Sequence, residues 1–218
     1  MNVAILLYDR FTALDAIGPY EVLSRLPETT VTFVAQKAGP VRTDNGMLTL
    51  LAERSIDELP APDILLVPGG PGEVAARAGG PVLEWVRAVH QTTTWTTSVC
   101  TGSLILAAAG LLNGRRATSH WLALEQLGRL GALPVSERVV YDGKIVTAAG
   151  VSAGIDMALG LASRVAGERV AQAIQLGIEY DPQPPFDAGS PATAPAEVVA
   201  LLRGASRFES GEPLSSPT

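Results

Sequence analysis

Short, wholly apolar runs, each ended by turn-forming residues and followed by a helical pattern, constrain this chain more than any other feature. Residues 3–8 (VAILLY) give way to Asp9-Arg10. Residues 64–67 (ILLV) are stopped by Pro68-Gly69-Gly70, and residues 94–99 (TWTTSV), rich in β-branched side chains, end at Cys100. An apolar run this short, without polar alternation, suits a strand buried on both faces. Residues 31–36 add another strand. Residues 135–141 and 145–147 flank Asp142-Gly143, a two-residue hairpin signal. Helical patterns fill the intervals: residues 15–26, with an apolar stripe of Ile17, Tyr20, Val22 and Leu23, then 72–77, 81–91, 103–111 and 121–130. Ser152 is positioned to N-cap a helix through residue 165, and a last helix covers 168–178. Strands alternating with helices imply right-handed crossovers, and so an α/β three-layer sandwich around a mostly parallel central sheet. Ligands in such sheets bind beyond the carboxyl ends of the strands. Three of those ends carry unusual residues: the loop to Asp15, the Pro68-Gly69-Gly70 turn, and Cys100.

Composition narrows the function classes. The chain has 218 residues, 47% hydrophobic and 17% charged, with a formal net charge of −6. That argues against disorder over most of its length and against a basic nucleic-acid-binding face. A single cysteine makes no internal disulfide, and with only His90 and His120 beside it a zinc cluster is not expected. The first residues lack a basic signal-peptide region, and their apolar run is too short to span a bilayer, so a cytoplasmic protein with no membrane contact is expected. Seven of the 16 prolines lie from Asp181 onward. The expected division is therefore an α/β domain over residues 1–180 and a proline-rich extension over 181–218, extended or disordered in part, with room for a short helix at 196–203.

Cys100, in TSVCTGS, ends a strand and immediately precedes a helix. Such a turn presents the side chain toward the ligand side, as in a nucleophile elbow. The helix N-terminus is expected to lower the thiol pKa and populate thiolate. The competing role is that of a small buried hydrophobe. The glycines of Pro68-Gly69-Gly70-Pro71-Gly72 allow backbone N–H groups to turn inward toward developing negative charge, or simply terminate the strand. Asp15 either caps the first helix or, beside a thiolate, has its pKa raised and acts as a general acid. Glu21, further along that helix, reads as solvated or structural. His120, in RATSHW at the expected end of the next strand, is a possible base or ion-pair partner for the thiol, with Trp121 as a wall of the site. His90 lies on a surface-patterned helix and is assigned no role.

LDAIGPYEVL, LLVPGGPG, TSVCTGSLILAAAGLLNGRRATSHW and AAGVSAGIDMALGLA together resemble the ThiJ/PfpI family of the class I glutamine amidotransferase-like superfamily, over roughly residues 2–195. The resemblance implies a flavodoxin-like fold and a homodimer using no metal or organic cofactor. Asp15 with Cys100-Thr101 is similar to the isonitrile hydratase branch, which implies hydration of a small apolar isonitrile to an N-substituted formamide through a covalent thioimidate. On that resemblance Cys100 is the nucleophile and Asp15 its acidic partner. Thr101 lines the site, Gly70 belongs to the oxyanion-type turn, and Val151 packs against the nucleophile's loop. Peptidase members place His directly after the nucleophile, where this chain has Thr101. Two other functions stay open: a sensor of oxidation or small ligands related to the sensory domain of AraC-type regulators, and a glyoxalase-like enzyme. Regulators of that type carry a C-terminal helix-turn-helix, which is not expected in the proline-rich tail. Glyoxalase-type relatives usually carry Glu where Asp15 stands.

Overall fold

A computed structural model describes residues 1–208. The expected ends of the chain's proline-rich extension, residues 209–218, lie outside the described residues. The core is a seven-stranded sheet in the order β10-β11-β7-β6-β1-β2-β5. Its members are β1 (Asn2–Leu6), β2 (Thr30–Ala35), β5 (Arg54–Ser55), β6 (Ile64–Val67), β7 (Trp95–Val99), β10 (Val139–Asp142) and β11 (Ile145–Ala148). Every pairing is parallel except the β10–β11 hairpin. The apolar runs take the centre: Val3 through Leu6 and Ile64 through Val67 are fully buried, each such side chain contributing about 1.5–3 kcal/mol by leaving water.

Helices cover both faces, as the alternation requires. On one side α1 (Ala13–Leu23) packs on α6 (Ala153–Ala166), which packs on α7 (Glu168–Gly177). On the other, α4 (Gly102–Ala108) packs against α2 (Glu73–Arg77), α3 (Pro81–Thr92) and α5 (Leu124–Arg129). The α1–α6 contact is made by small residues. A Cβ on Gly154 would lie 3.1 Å from the Pro19 ring and 3.0 Å from Val99, so α1 can sit against α6 and the end of β7 together. The inward face of α1 is accordingly Asp15, Ala16, Gly18, Pro19, Val22 and Leu23. Ile17 and Tyr20 of the expected stripe are only half-buried, because the contact selects for size rather than hydrophobicity.

Several local expectations are corrected. The hairpin turns on Gly143-Lys144, with Asp142 still paired to Ile145, because φ of Gly143 is +61° at the first central position. Ser152 precedes α6 without capping it; its hydroxyl accepts from Arg138 Nη2 at 3.3 Å. The segment before His120 is not a strand of the central sheet. It is β8 (Arg116–Ala117), paired with β9 (Leu133–Pro134) in a separate two-stranded sheet. A further hairpin, β3 (Gly39–Arg42) with β4 (Thr49–Ala52), has too many exposed positions to show an apolar run. The last described helix is α8 (Ala196–Gly204), none of whose residues is buried.

Candidate functional site

Register brings the three unusual strand ends together. Ile5 pairs with Leu66, and Val67 with Ser98. The segments leaving β1, β6 and β7 therefore reach the same end of the sheet side by side, with Gly69 and Cys100 each two residues beyond a paired position. Strand order also reverses here, since β2 lies on one side of β1 and β6 on the other. A crevice at such a point, beyond the carboxyl ends, is the usual ligand position in this architecture.

Cys100 adopts φ +56°, a left-handed conformation unusual for a residue with a side chain. Its backbone is pinned from three sides. The N–H donates to Ala149 O at 2.8 Å, and the carbonyl accepts from Ser119 Oγ at 3.1 Å and Ser103 Oγ at 3.2 Å. Gly102 makes the sharp turn possible, because a Cβ there would lie 2.1 Å from Val67 O. Asp15, the third residue of α1, is fully buried and does not cap its helix, since Thr12 holds the N-cap position. Its Oδ2 instead accepts the Gly69 N–H at 2.8 Å, and its carboxyl and the Cys100 thiol are close enough for each to shift the other's pKa. Oδ1 has no hydrogen-bond partner among the described residues. Gly69 must be glycine for this approach, as a Cβ would lie 2.5 Å from Thr101 N and 2.9 Å from Asp15 Oδ2.

Gly70, at φ +128°, donates its N–H to Thr101 Oγ1 at 2.9 Å. That N–H is therefore committed to Thr101 and is not turned toward the sulfur. The backbone N–H groups of Thr101 and Val151 act on the Cys100 sulfur by favouring its thiolate form. Of the three residues expected at the site, Thr101 and Val151 act on the thiol through their backbone N–H groups, while Gly70 is tied to the Thr101 hydroxyl.

Burial decides the electrostatics. Cys100 is 6% exposed, and desolvation, followed by the nearby Asp15 charge, drives its thiol pKa well up despite the Thr101 and Val151 donors. The expected lowering by the helix N-terminus loses, because α4 has only seven residues and the sulfur is cut off from water. Asp15 is pushed up to about 7, first by burial, with the Gly69 N–H and the Cys100 hydrogen bond working against it. The resting pair is a protonated thiol beside a carboxyl that titrates near neutrality.

A cavity of about 430 Å³ adjoins the elbow. Neither Cys100 nor Asp15 lines it; it meets the elbow through Ser119 and Ala149, whose hydroxyl and carbonyl bond the Cys100 backbone. Leu14, Trp121 and Leu124 supply apolar surface. The lining is more polar than expected and includes Arg138, whose Nε is taken up by Asp156 Oδ2 at 2.6 Å. His120 also lines it, but its Nδ1 accepts from Leu122 N at 3.3 Å and burial lowers its pKa, so it stands as a neutral ring. His120 is not among the groups acting on the thiol, which are Asp15, Thr101 and Val151. His90 sits elsewhere, with Nδ1 on Thr96 Oγ1 at 2.8 Å. Ser119 and Ser103 escaped the sequence reading, since nothing in ATSHW or CTGS marks a hydroxyl bonded to the elbow carbonyl. Among the described residues no group of three His, Cys, Asp or Glu is clustered to hold a metal, and no helix is long and apolar enough to cross a membrane.

A parallel sheet covered on both faces, with a buried cysteine at positive φ where a central strand turns into a helix, defines an α/β protein of the nucleophile-elbow class. The DJ-1/PfpI family matches residues 1–164, and the chain belongs to it. It is 44% identical over 203 residues to the isonitrile hydratase of Pseudomonas putida, covering 93% of this chain and 89% of that one. A ThiJ/PfpI family protein from Pseudomonas syringae has the same fold, with a TM-score of 0.91 and 37% identity over 95% of this chain and 87% of that one. The chain is also 32% identical to the HTH-type transcriptional regulator CdhR of Pseudomonas aeruginosa, over 72% of this chain and 48% of that regulator.

Proposed function

We propose that this protein is an enzyme that hydrates an isonitrile, R–N≡C, to an N-substituted formamide, with Cys100 as nucleophile and Asp15 as the proton carrier. The observation that carries this reading is the buried Asp15 carboxyl beside the chain's one thiol, with Oδ1 free of hydrogen-bond partners among the described residues. The likeness to the Pseudomonas putida hydratase supplies the substrate class. In the first step the Asp15 carboxylate takes the thiol proton as sulfur bonds to the terminal carbon, then delivers that proton to the same carbon. The S–H bond breaks, S–C and C–H bonds form, and the product is the thioimidate R–N=CH–S–Cys100. Asp15, again a carboxylate, next takes a proton from water as its oxygen adds to the thioimidate carbon, and passes that proton to nitrogen. Cleavage of the C–S bond, with the hydroxyl proton returning to sulfur, releases R–NH–CHO and the thiol. The Thr101 and Val151 N–H groups stabilise negative charge on sulfur as it attacks and leaves. Gly70 holds the Thr101 hydroxyl, and Trp121 and His120 shape the wall beside the substituent.

A thiol kept protonated by burial works against the oxidation-sensor reading, because oxidation favours an exposed thiolate. The form we propose is a cytoplasmic homodimer built on residues 1–180, with 181–218 as an extension. Exposed Leu201, Leu202 and Phe186 offer apolar surface for a second copy. The test is direct. Purified protein with Cys100 reduced is given an alkyl or aryl isonitrile, and formamide appearance is followed by mass spectrometry. Turnover that disappears in Cys100→Ala is the expected result, and an unconsumed isonitrile with the thiol intact would sink the proposal.

A further inference from the structure

Among the described residues Glu73 is fully buried alongside Asp15, and the mechanism does not use it. It opens α2, directly after the Pro68–Gly72 turn. Arg77 Nε lies 2.5 Å from its Oε2, one helical turn on. The second cation comes from the far end of the chain: Arg207 Nη2 is 3.1 Å from Glu73 Oε1, and Arg207 Nη1 donates to Pro71 O at 3.0 Å. A guanidinium that bridges a buried carboxylate and a backbone carbonyl 136 residues away fixes its own segment in place.

What that segment does is visible at the cavity. Gly189, Ser190 and Pro191 form part of its wall, together with Trp121. Val198, Val199 and Leu202 of α8 stand behind those residues and beside the same tryptophan, where only about 50 Å³ of space is left. The Arg203 guanidinium lies 5.9 Å from the Trp121 ring centroid. Since α8 buries none of its own residues, its apolar contacts alone hold it weakly, and the Arg207–Glu73 ion pair ties the end of this stretch to α2.

We propose that Arg207 is a positioning residue for substrate selection: by clamping the C-terminal segment to Glu73 and Pro71 it holds residues 189–191 as the wall that contacts the isonitrile substituent. This rests on the hydratase reading for its substrate, though not for the clamp itself. On this proposal a small alkyl isonitrile reacts without reaching that wall, whereas a bulky aryl substituent extends into the cavity and meets it.

The experiment compares wild type, Arg207→Gln and Arg207→Lys in the full chain. Hydrogen–deuterium exchange is followed over residues 186–194 and 118–124, and kcat and KM are measured for methyl and naphthyl isonitrile. Arg207→Gln is expected to speed exchange in both segments and to lower the naphthyl-to-methyl ratio of kcat/KM about tenfold, chiefly through KM for the naphthyl substrate. Arg207→Lys, which keeps the charge on Glu73 but has one nitrogen to share, falls between. Unchanged exchange overturns the clamp. Faster exchange with a ratio within about twofold of wild type overturns the selection role, and a loss shared equally by both substrates marks a general structural effect and also overturns it. If wild type hydrates neither isonitrile, the hydratase reading and the selection role fail together, while exchange still decides the clamp.

Discussion

Two buried carboxylates, Asp15 and Glu73, lie at the same end of the sheet, and their surroundings differ in one respect. Both follow a central strand, both are fully buried, and burial raises the pKa of each. Glu73 has a guanidinium paired with each oxygen, hydrogen-bonded at Oε2 and in ion-pair contact without a hydrogen bond at Oε1, and these cations offset its desolvation. Asp15 has one N–H on Oδ2 and, on the other side, a thiol that burial itself keeps protonated. Burial of a charge demands a partner. A cation is a permanent partner and yields a clamp. A proton shared with a nucleophile is a transferable one and yields chemistry.

Four substitutions or conditions break or sharpen that contrast. The largest effect is expected from Asp15→Asn, which keeps the shape and an acceptor for the Gly69 N–H but carries no transferable proton. Its kcat/KM for an isonitrile should fall by about 10²- to 10⁴-fold, with the fold intact by circular dichroism. Equal loss in Asp15→Asn and in a surface carboxylate variant would remove Asp15 from the mechanism. Glu73→Ala should act on stability instead. It strands Arg77 with no anion in a setting where its side chain is 10% exposed, and urea unfolding should show a loss of about 3 kcal/mol.

Next in size is the response to pH. Asp15 titrates near 3.8 in an unfolded chain and near 7 in the folded one, so across that window the folded state holds a proton the unfolded state lacks. Its contribution to stability is present below about pH 4 and is lost as pH rises through 7. Glu73, also shifted upward, adds a slope of the same sign. The melting temperature of wild type should thus fall from pH 5 to pH 8. Asp15→Asn should show a shallower fall and be the more stable protein at pH 8. Activity runs the other way, because the first step needs the carboxylate: kcat/KM should rise with pH through about 7. A flat activity profile between pH 6 and 8 would contradict that protonation scheme.

The smallest effect is expected at Glu21, the carboxylate that the same helix carries on its exposed face, 2.7 Å from Arg25 and 47% exposed. Glu21→Gln should shift stability by about 0.5 kcal/mol or less and leave turnover untouched. One helix then carries a catalytic and a solvated carboxylate six residues apart, separated only by which side faces α6.

The parts legible from sequence are those with strong local causes. Strands β1, β6 and β7 are short apolar runs with hard stops, so their place in a buried parallel sheet follows from composition over a few residues. The elbow at Cys100 follows from a strand pattern meeting a helix pattern with a glycine two residues on. Glu73 was not legible as buried, because a glutamate four residues before an arginine in a helix looks the same on a solvated face. Arg207 lay beyond local reading altogether, since its partners are set by how the chain's end returns to the sheet.

Local sequence settled strands β1, β6 and β7 with the helices between them, the identity of the thiol and the glycine turn beside it, and left Asp15 between helix cap and proton donor. Those follow from interactions among neighbours in the chain, where periodicity and turn chemistry are decisive. Only the tertiary structure decided the protonation of Cys100, the freedom of Asp15 Oδ1, the commitment of the Gly70 N–H to Thr101, and the bridge from Arg207 to Glu73. Each of these depends on how much water is excluded and on which distant group arrives to replace it. Desolvation is a property of the packed volume around a group, and no stretch of sequence carries it alone.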